Sequence, residues 1–271
     1  MTYRYIAIGD SLSEGVGDLP WPDGTPRGWT DRLAGLHTVQ HGPVEYANLA
    51  VRGYKTDQVR EHQLDRALSL APDLVTITAG MNDILRPRVD FDALQASLAG
   101  LVTAFRESGA DVMFVPIPDL KSVSPAGSLI DVRRRRLNAI YGQLSDQWGL
   151  ASLAGTEGTV FEDPRAWDLD RLHLSQLGHE RLALGAADAL GLAGAFDWNA
   201  ALVGTRPPRT VRTEAQWWWF YVLPWVNRRI RGRSSGDGRV AKLPTLSIVE
   251  SAETRWVSTT EGPAQHPDQG S

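Results

Sequence analysis

Cysteine is absent from this sequence of 271 residues. Its absence excludes disulfide bonds, cysteine-ligated zinc, iron–sulfur clusters and a thiol nucleophile. Long apolar runs are missing as well, since none approaches the roughly 18 residues of a membrane-spanning helix. The N-terminal stretch MTYRYIAIGDS has neither the apolar core nor the small-residue cleavage site of a secretory signal. We therefore expect it to form the first strand of a cytoplasmic protein.

A strong excess of one charge is also missing from the chain as a whole. It carries 28 Lys and Arg against 32 Asp and Glu, a net charge of −4, which argues against a nucleic-acid-binding protein. The distribution is uneven, however. Residues 206–242 hold nine basic residues against Glu214 and Asp237, so this segment carries +7 and the rest of the chain −11. An acidic body is thus joined to a basic segment.

Tryptophan is abundant, with ten residues, of which four lie within nine positions of the basic segment: Trp217, Trp218, Trp219 and Trp225. Tryptophan favours membrane–water interfaces, and the flanking arginines suit anionic headgroups. Residues 217–233 are therefore a candidate for peripheral membrane contact or self-association. Alternatively, the aromatic cluster packs back on the rest of the chain. Pro224 argues against one long continuous helix in this segment.

Short apolar runs alternate with longer helical patterns up to about residue 190. The apolar runs predict strands at 5–8, 44–50, 74–78, 112–117 and, more weakly, 150–154. Apolar residues at helical spacing, or the stretches between strands, predict helices at 29–38, 56–70, 94–105, 128–147 and from about 176 to 190. This alternation predicts an α/β fold with a parallel sheet covered by helices on both faces.

The alternation stops near residue 195, which divides the chain into three parts. We expect residues 1–195 to form one domain and residues 196–250 to form a basic, tryptophan-rich extension. Residues 251–271 are rich in Thr, Ser, Gly, Pro and Gln and are expected to be a disordered tail.

The first predicted strand ends in a candidate nucleophile, within Gly9-Asp10-Ser11-Leu12-Ser13. A serine just beyond the carboxyl end of a parallel strand lies where open α/β sheets bind their ligands. The simpler interpretation is that Asp10 and Ser11 only cap a helix, as these residue types often do.

A serine nucleophile needs a base, and the chain has six histidines: His37, His41, His62, His173, His179 and His266. A catalytic histidine usually pairs with a carboxylate that fixes its tautomer. Only His173 follows an aspartate by three residues, in Asp170-Arg171-Leu172-His173, just before a predicted helix with Ser175 as its N-cap. The competing interpretation is an ordinary aspartate and histidine on a surface loop.

Two further residues follow predicted strands. Asn82, in Gly80-Met81-Asn82-Asp83, follows the strand at 74–78, and its amide can donate a hydrogen bond to a developing oxyanion. Gly53 follows the strand at 44–50, where a glycine lets its backbone N–H approach a ligand. Each residue alone is also an ordinary turn residue. Together with Ser11 they predict a site, because the carboxyl ends of parallel strands meet at one edge of the sheet.

Four sequence blocks resemble those of the SGNH (GDSL-type) hydrolase superfamily of lipases, esterases and acylhydrolases: Gly9-Asp10-Ser11-Leu12-Ser13, Gly53, Gly80-x-Asn82-Asp83 and Asp170-x-x-His173. The resemblance covers residues 3 to about 192. It implies a flavodoxin-like, three-layer α/β/α sandwich with a central parallel sheet. It also implies that Ser11 is the nucleophile, His173 the base and Asp170 its orienting acid, with oxyanion donors from the Ser11 and Gly53 N–H groups and the Asn82 side chain. No cofactor or metal is expected.

The implied reaction is hydrolysis of a carboxylic ester, from a lipid or a small molecule, through an acyl-enzyme. The α/β-hydrolases share the chain order Ser, Asp, His, but their G-x-S-x-G elbow is not present, since Ser13 stands where the second glycine belongs. Two alternatives stay open. The same site chemistry serves a carbohydrate O-deacetylase, and a non-catalytic scaffold could use residues 217–233 to bind a membrane or a partner.

Overall fold

The computed structural model describes residues 2–124, 127–153, 155, 157–192, 194, 197–206, 208–251 and 257–258. Within them the chain forms one mixed sheet of seven strands. The strands are β1 (Arg4–Gly9), β2 (Val44–Asn48), β3 (Leu74–Thr78), β4 (Asp111–Phe114), β5 (Ala151–Ser152), β6 (Leu243–Val249) and β7 (Val257–Ser258).

The strand order is β5-β4-β3-β1-β2-β6-β7. Strands β1 to β5 pair in parallel, whereas β6 runs antiparallel to β2, and β7 runs antiparallel to β6. The predicted parallel sheet is therefore confirmed, and each of its strands overlaps a predicted apolar run. Sequence reasoning missed β6 and β7. Pro244 lies where the register between β2 and β6 shifts, a place where a missing N–H is tolerated.

The helices connect and cover these strands: α1 (Ser11–Glu14), α2 (Trp29–His41), α3 (Thr56–Ser69), α4 (Met81–Ile84), α5 (Phe91–Glu107), α6 (Gly127–Trp148), α7 (Gln176–Ala189), α8 (Val211–Trp217) and α9 (Leu223–Ile230). The five predicted helices correspond to α2, α3, α5, α6 and α7. The predicted N-cap is confirmed as well, because Ser175 Oγ accepts the N–H of Gly178 at the start of α7.

The two sides of β1 show why the sheet is covered on both faces. Tyr5 and Ala7 are buried in a core that includes residues of α2 and α7. Ile6 and Ile8 point to the opposite core, which includes residues of α3, α5 and α6. Since successive strand residues face opposite sides, a run of buried apolar residues requires two helical layers. The result is the three-layer α/β/α sandwich that the sequence predicts.

The C-terminal helical segment differs from its prediction. Pro224 does not interrupt it: α8, a π-helical turn at Trp218–Val222 and α9 follow one another in residues 211–230 without a break. The N–H of Leu223 donates to the carbonyl of Trp218, five residues earlier. Because a proline ring clashes with the carbonyl four residues earlier in a regular α-helix, the widened turn directly before Pro224 gives its ring room.

The predicted extension contacts the sandwich closely. Strand β6 joins the sheet, and the buried side chain of Lys242, just before β6, donates to the carboxylate of Asp31 in α2. The boundary at residue 195 stays a prediction, and most of the predicted tail at 251–271 lies outside the described residues. No helix among the described residues has the length and apolar character needed to cross a membrane.

The four consecutive arginines of α6 (133–136) do not form a plain solvated face. Arg134 is almost fully buried and donates to Asp131 and Glu157. Arg133 donates to the carbonyls of Ile84 and Arg86. The run thus contributes internal hydrogen bonds that the sequence alone did not indicate.

Candidate active site

The loop between β1 and α1 carries the candidate nucleophile. Gly9 has φ +133, and a Cβ there would lie 2.1 Å from the carbonyl oxygen of Thr78, so only glycine lets β1 and β3 end this close together. Asp10 caps α1, since its Oδ1 accepts the N–H of Leu12 at 3.2 Å. Ser11 is the first residue of that helix. The capping interpretation is therefore correct for Asp10, and it leaves Ser11 at the carboxyl edge of the sheet.

Asp170 and His173 form a close pair in the loop before α7. His173 Nδ1 lies 2.5 Å from Asp170 Oδ2, and Asp170 Oδ1 accepts the backbone N–H groups of Leu172 and His173, each at 2.9 Å. Burial lowers the pKa of His173, but the hydrogen bond and charge of Asp170 outweigh it and raise that pKa above its ordinary value. This geometry fixes both the tautomer and the position of the imidazole.

Asn82 lies in α4, at the end of β3. Its Nδ2 donates to Asp10 Oδ2 at 3.2 Å and to the carbonyl of Tyr54 at 3.0 Å. The amide is buried and therefore held in a fixed orientation beside the β1–α1 loop. Gly53 follows β2 and has φ +80, a left-handed conformation that favours glycine.

One cavity of about 120 Å³ is lined by residues from all of these loops. Ser11, Gly53, Asn82 and His173 share it, although they are distant in sequence. The structure thus brings together the residues that sequence reasoning placed in one site. Its walls are largely apolar and include Leu12, Met81, Ile117, Pro118, Trp167 and Leu172. The loop after β4 borders the site through Ile117, Pro118 and Leu120.

Asp10 is a residue to which the sequence assigned no role beyond helix capping. Burial raises its pKa to about 7, although the hydrogen bond from Leu12 and the nearby His173 act in the opposite direction. Its carboxyl group touches both the helix that begins with Ser11 and the amide of Asn82. The only signal in the sequence was its place directly before the serine.

Residues of the C-terminal segment also line the cavity, which sequence reasoning did not anticipate. Trp225 and Arg228 of α9 reach it, as does Ser235. Ser234 Oγ donates to the carbonyl of Gly53 at 3.1 Å. These residues lie far along the chain from the β1, β2 and β3 loops, and no local pattern indicates such a contact.

The sequence signature of the GDSL-like lipase/acylhydrolase family matches residues 7–181. The chain belongs to this family. It is therefore an ester-cleaving serine hydrolase, and the family assignment agrees with the exclusion of the G-x-S-x-G class. No curated protein matches the sequence.

Solved structures of low identity share the family fold. The acetylxylan esterase of Geobacillus stearothermophilus is 18% identical with a TM-score of 0.57, and the match covers 74% of this chain and 97% of that one. A GDSL-like protein of Parabacteroides merdae is also 18% identical, with a TM-score of 0.57 and coverage of 70% and 96%. LAE5, a hydrolase from the metagenome of Lake Arreo, is 15% identical, with a TM-score of 0.56 and coverage of 72% and 99%. At this identity the similarity concerns the fold alone.

Proposed function

We propose that this family member hydrolyses short-chain acyl esters, with Ser11 as nucleophile, His173 as base and Asp170 as orienting acid. The observation that carries the proposal is the cavity shared by Ser11 and His173, combined with the 2.5 Å contact between His173 Nδ1 and Asp170. Because Nδ1 is bonded to Asp170, the other ring nitrogen is the one that takes the proton of Ser11.

The reaction follows the steps of an acyl-enzyme mechanism. His173 removes the proton from Ser11 as its oxygen attacks the ester carbonyl, and the protonated imidazole then donates that proton to the leaving alkoxide. Water, activated in turn by His173, attacks the acyl-enzyme and releases the acid and free Ser11. Asp170 stays ionised and stabilises the imidazolium in both halves of the reaction.

Three donors are proposed for the oxyanion: the N–H groups of Ser11 and Gly53 and the amide of Asn82. The Asn82 Nδ2 group already donates to Asp10 and Tyr54. A substrate oxyanion must therefore displace one of these acceptors, and the contact with Asp10 is the longer one. Removal of one such donor typically costs about a hundredfold to a thousandfold in kcat.

The size of the cavity supports a short acyl group. At about 120 Å³ with mostly apolar walls, it is well below the several hundred Å³ of sites that enclose drug-sized ligands. This favours a small acyl group, such as acetyl, on an alcohol that lies largely outside the cavity. An O-acetylated carbohydrate and an acetylated small alcohol both meet this description, whereas a long fatty acyl chain does not.

The exposed aromatic residues of the C-terminal helical segment support a second element of the proposal, a peripheral contact with an anionic membrane surface at its cytoplasmic face. Trp217 is buried, but Trp218, Trp219 and Phe220 are 50%, 68% and 65% exposed. These exposed rings lie in the segment that carries the chain's excess of arginine. Aromatic rings with adjacent cationic groups match the chemistry of an anionic lipid interface.

The catalytic assignment is tested by Ser11→Ala. We expect the variant to stay folded by circular dichroism, to lose turnover of p-nitrophenyl acetate and to lose covalent labelling by a fluorophosphonate. Wild-type protein should be labelled and active, and its rate should fall as the acyl chain lengthens from acetate to laurate. Turnover by Ser11→Ala at the wild-type rate would overturn the assignment, and an unlabelled wild-type protein would favour a non-catalytic scaffold. Hydrolysis of acetylated sugars in the same screen would identify a carbohydrate O-deacetylase.

The membrane contact is tested with the full chain. Wild-type protein should sediment with phosphatidylserine-containing vesicles more than with neutral phosphatidylcholine vesicles, and salt should weaken the binding. The double substitution Trp219→Ala and Phe220→Ala should abolish sedimentation without changing p-nitrophenyl acetate turnover. Equal sedimentation of wild type and double variant rejects the contact, and a size-exclusion shift between them indicates self-association instead.

A further inference from the structure

The turn that joins Asp170 to His173 contains a strained residue. Arg171 has φ +58, a left-handed conformation that is unfavourable for any residue with a Cβ, because the Cβ comes too close to a backbone carbonyl oxygen. Its N–H donates to the carbonyl of Asp168 at 2.9 Å, and the N–H of Asp168 donates to the carbonyl of His173 at 2.9 Å. A strained turn of this kind persists only where surrounding contacts hold it.

Helix α8 supplies one such contact through Glu214. Its two carboxylate oxygens accept from the two terminal nitrogens of Arg171, each at 2.8 Å. The Arg171 side chain is only 15% exposed, and its guanidinium lies 4.8 Å from the centroid of a Trp217 ring. A bidentate ion pair with an aromatic ring beside it fixes the orientation of the guanidinium, and so restrains the turn.

Trp217, at the end of α8, supplies a second contact. Its indole Nε1–H donates to the backbone carbonyl of Asp170 at 2.9 Å, and the side chain is 7% exposed. This hydrogen bond acts on the residue whose carboxylate pairs with His173. Helix α8 therefore holds the Asp170–His173 turn at two points, through the side chain of Arg171 and through the backbone of Asp170.

We propose that Glu214 and Trp217 are positioning residues, which hold the Asp170–Arg171–Leu172–His173 turn in the conformation that pairs the carboxylate with the imidazole. The proposal rests on the catalytic roles proposed above for Asp170 and His173. Neither Glu214 nor Trp217 lines the cavity, so both act through the turn. The C-terminal segment is thereby part of the catalytic apparatus, although the family signature ends at residue 181.

The test uses two mild substitutions in the full chain with two matched controls. Trp217→Phe keeps an aromatic ring but removes the N–H donor, and Glu214→Gln removes the carboxylate charge. The controls are Trp148→Phe, at a half-buried position at the end of α6 that does not line the cavity, and Glu107→Gln, at an exposed position of α5. Fluorophosphonate titration gives the concentration of active sites in each sample, so partial unfolding does not enter kcat.

For Trp217→Phe and Glu214→Gln we expect kcat for p-nitrophenyl acetate to fall about tenfold to a hundredfold, the cost of a small misplacement of a reacting group. KM should change little. The acidic limb of the kcat/KM profile should move to lower pH, because a looser Asp170 contact raises the His173 pKa less. Substitution of a residue with a merely structural role would lower the amount of active enzyme but would leave the acidic limb in place.

Two substitutions of Arg171 separate backbone strain from the loss of the side chain. Arg171→Ala and Arg171→Gly both remove the guanidinium, but only glycine adopts φ +58 without strain. We expect Arg171→Gly to keep the higher kcat, and Glu214→Gln to have no further effect in that background. Equal kcat for the alanine and glycine variants would overturn the proposal. The proposal would also be overturned if Trp217→Phe and Glu214→Gln kept the wild-type kcat and an unchanged acidic limb of the kcat/KM profile. An active Ser11→Ala protein would instead overturn the proposed function.

Discussion

Lys242 and Asp31 form a buried ion pair, with Nζ 2.5 Å from Oδ2 and side-chain exposures of 5% and 1%. The same ammonium group donates to the carbonyls of Pro26 and Arg27 at 3.0 and 2.8 Å, so its three hydrogens all have acceptors. Burial raises the pKa of Asp31 and lowers that of Lys242, which shows that desolvation outweighs their mutual attraction. The pair fixes the start of β6 against the beginning of α2.

Lys242→Met is expected to reduce the free energy of unfolding by about 3–5 kcal/mol, because Asp31 is left buried without its cation. Urea denaturation at pH 7 measures the change. The double variant Asp31→Leu, Lys242→Met removes both charges and should recover most of the loss. A double variant as unstable as the single one would show that the pair contributes through packing rather than charge.

The activity should depend on pH through His173. Because Asp170 raises its pKa above 6.5 and the base must be neutral, kcat/KM for a neutral ester should fall on acidification with a midpoint above pH 6.5. Asp170→Asn should lower kcat by about ten-thousandfold and move this midpoint down. Initial rates between pH 5 and 9 provide the measurement. An unchanged midpoint in Asp170→Asn would contradict the pairing.

Gly53→Ala should impair catalysis through two effects. The backbone at residue 53 has φ +80, a conformation that is strained for alanine. The added Cβ would also lie 2.4 Å from Ser234 Oγ and 2.6 Å from Ser235 Oγ. We expect kcat to fall about a hundredfold as the proposed oxyanion N–H moves. Gly142→Ala is the matched control, because a Cβ there meets nothing within 4 Å. Similar kcat values for the two variants would contradict the role of the Gly53 N–H as an oxyanion donor.

Asp10 should make the protein less stable at high pH. Its pKa is near 3.8 in the unfolded chain and about 7 in the folded protein, so the folded state binds more protons between these values. This contribution to stability is complete below pH 3.8 and is lost as the pH rises through 7. From pH 5 to 8, wild type should therefore lose about 2–4 kcal/mol relative to Asp10→Asn in urea denaturation. If the free energy of unfolding changed with pH in the same way for the two proteins, the raised pKa of Asp10 would be contradicted.

Local patterns account for the part of the fold that the sequence predicted. The parallel strands are short apolar runs because both faces are buried, and α5 shows a complete apolar stripe. The position of Ser11 followed from topology alone, since a residue just beyond β1 must lie at the carboxyl edge of the sheet.

Most of the contacts that the sequence did not predict are long-range. Strand β6 pairs with β2 across roughly two hundred residues, and Pro244 in its second position argues against a strand when read locally. The sequence left open whether Trp217 packs back on the rest of the chain, because its hydrogen bond to Asp170 has no counterpart in local sequence. The effect of Pro224 was predicted wrongly, since the π-helical turn before it absorbs the distortion.

The antiparallel pairing of β6 with β2 has a consequence for biosynthesis. Synthesis proceeds from the N-terminus, so β2 is made long before its outer neighbour and presents an unpaired edge in the meantime. The same late residues bring Trp225 and Arg228 to the cavity and Trp217 to the Asp170 turn. A nascent chain therefore holds every residue of the family signature while its pocket still lacks a wall. We therefore expect the pocket to be complete only after the C-terminal segment has docked.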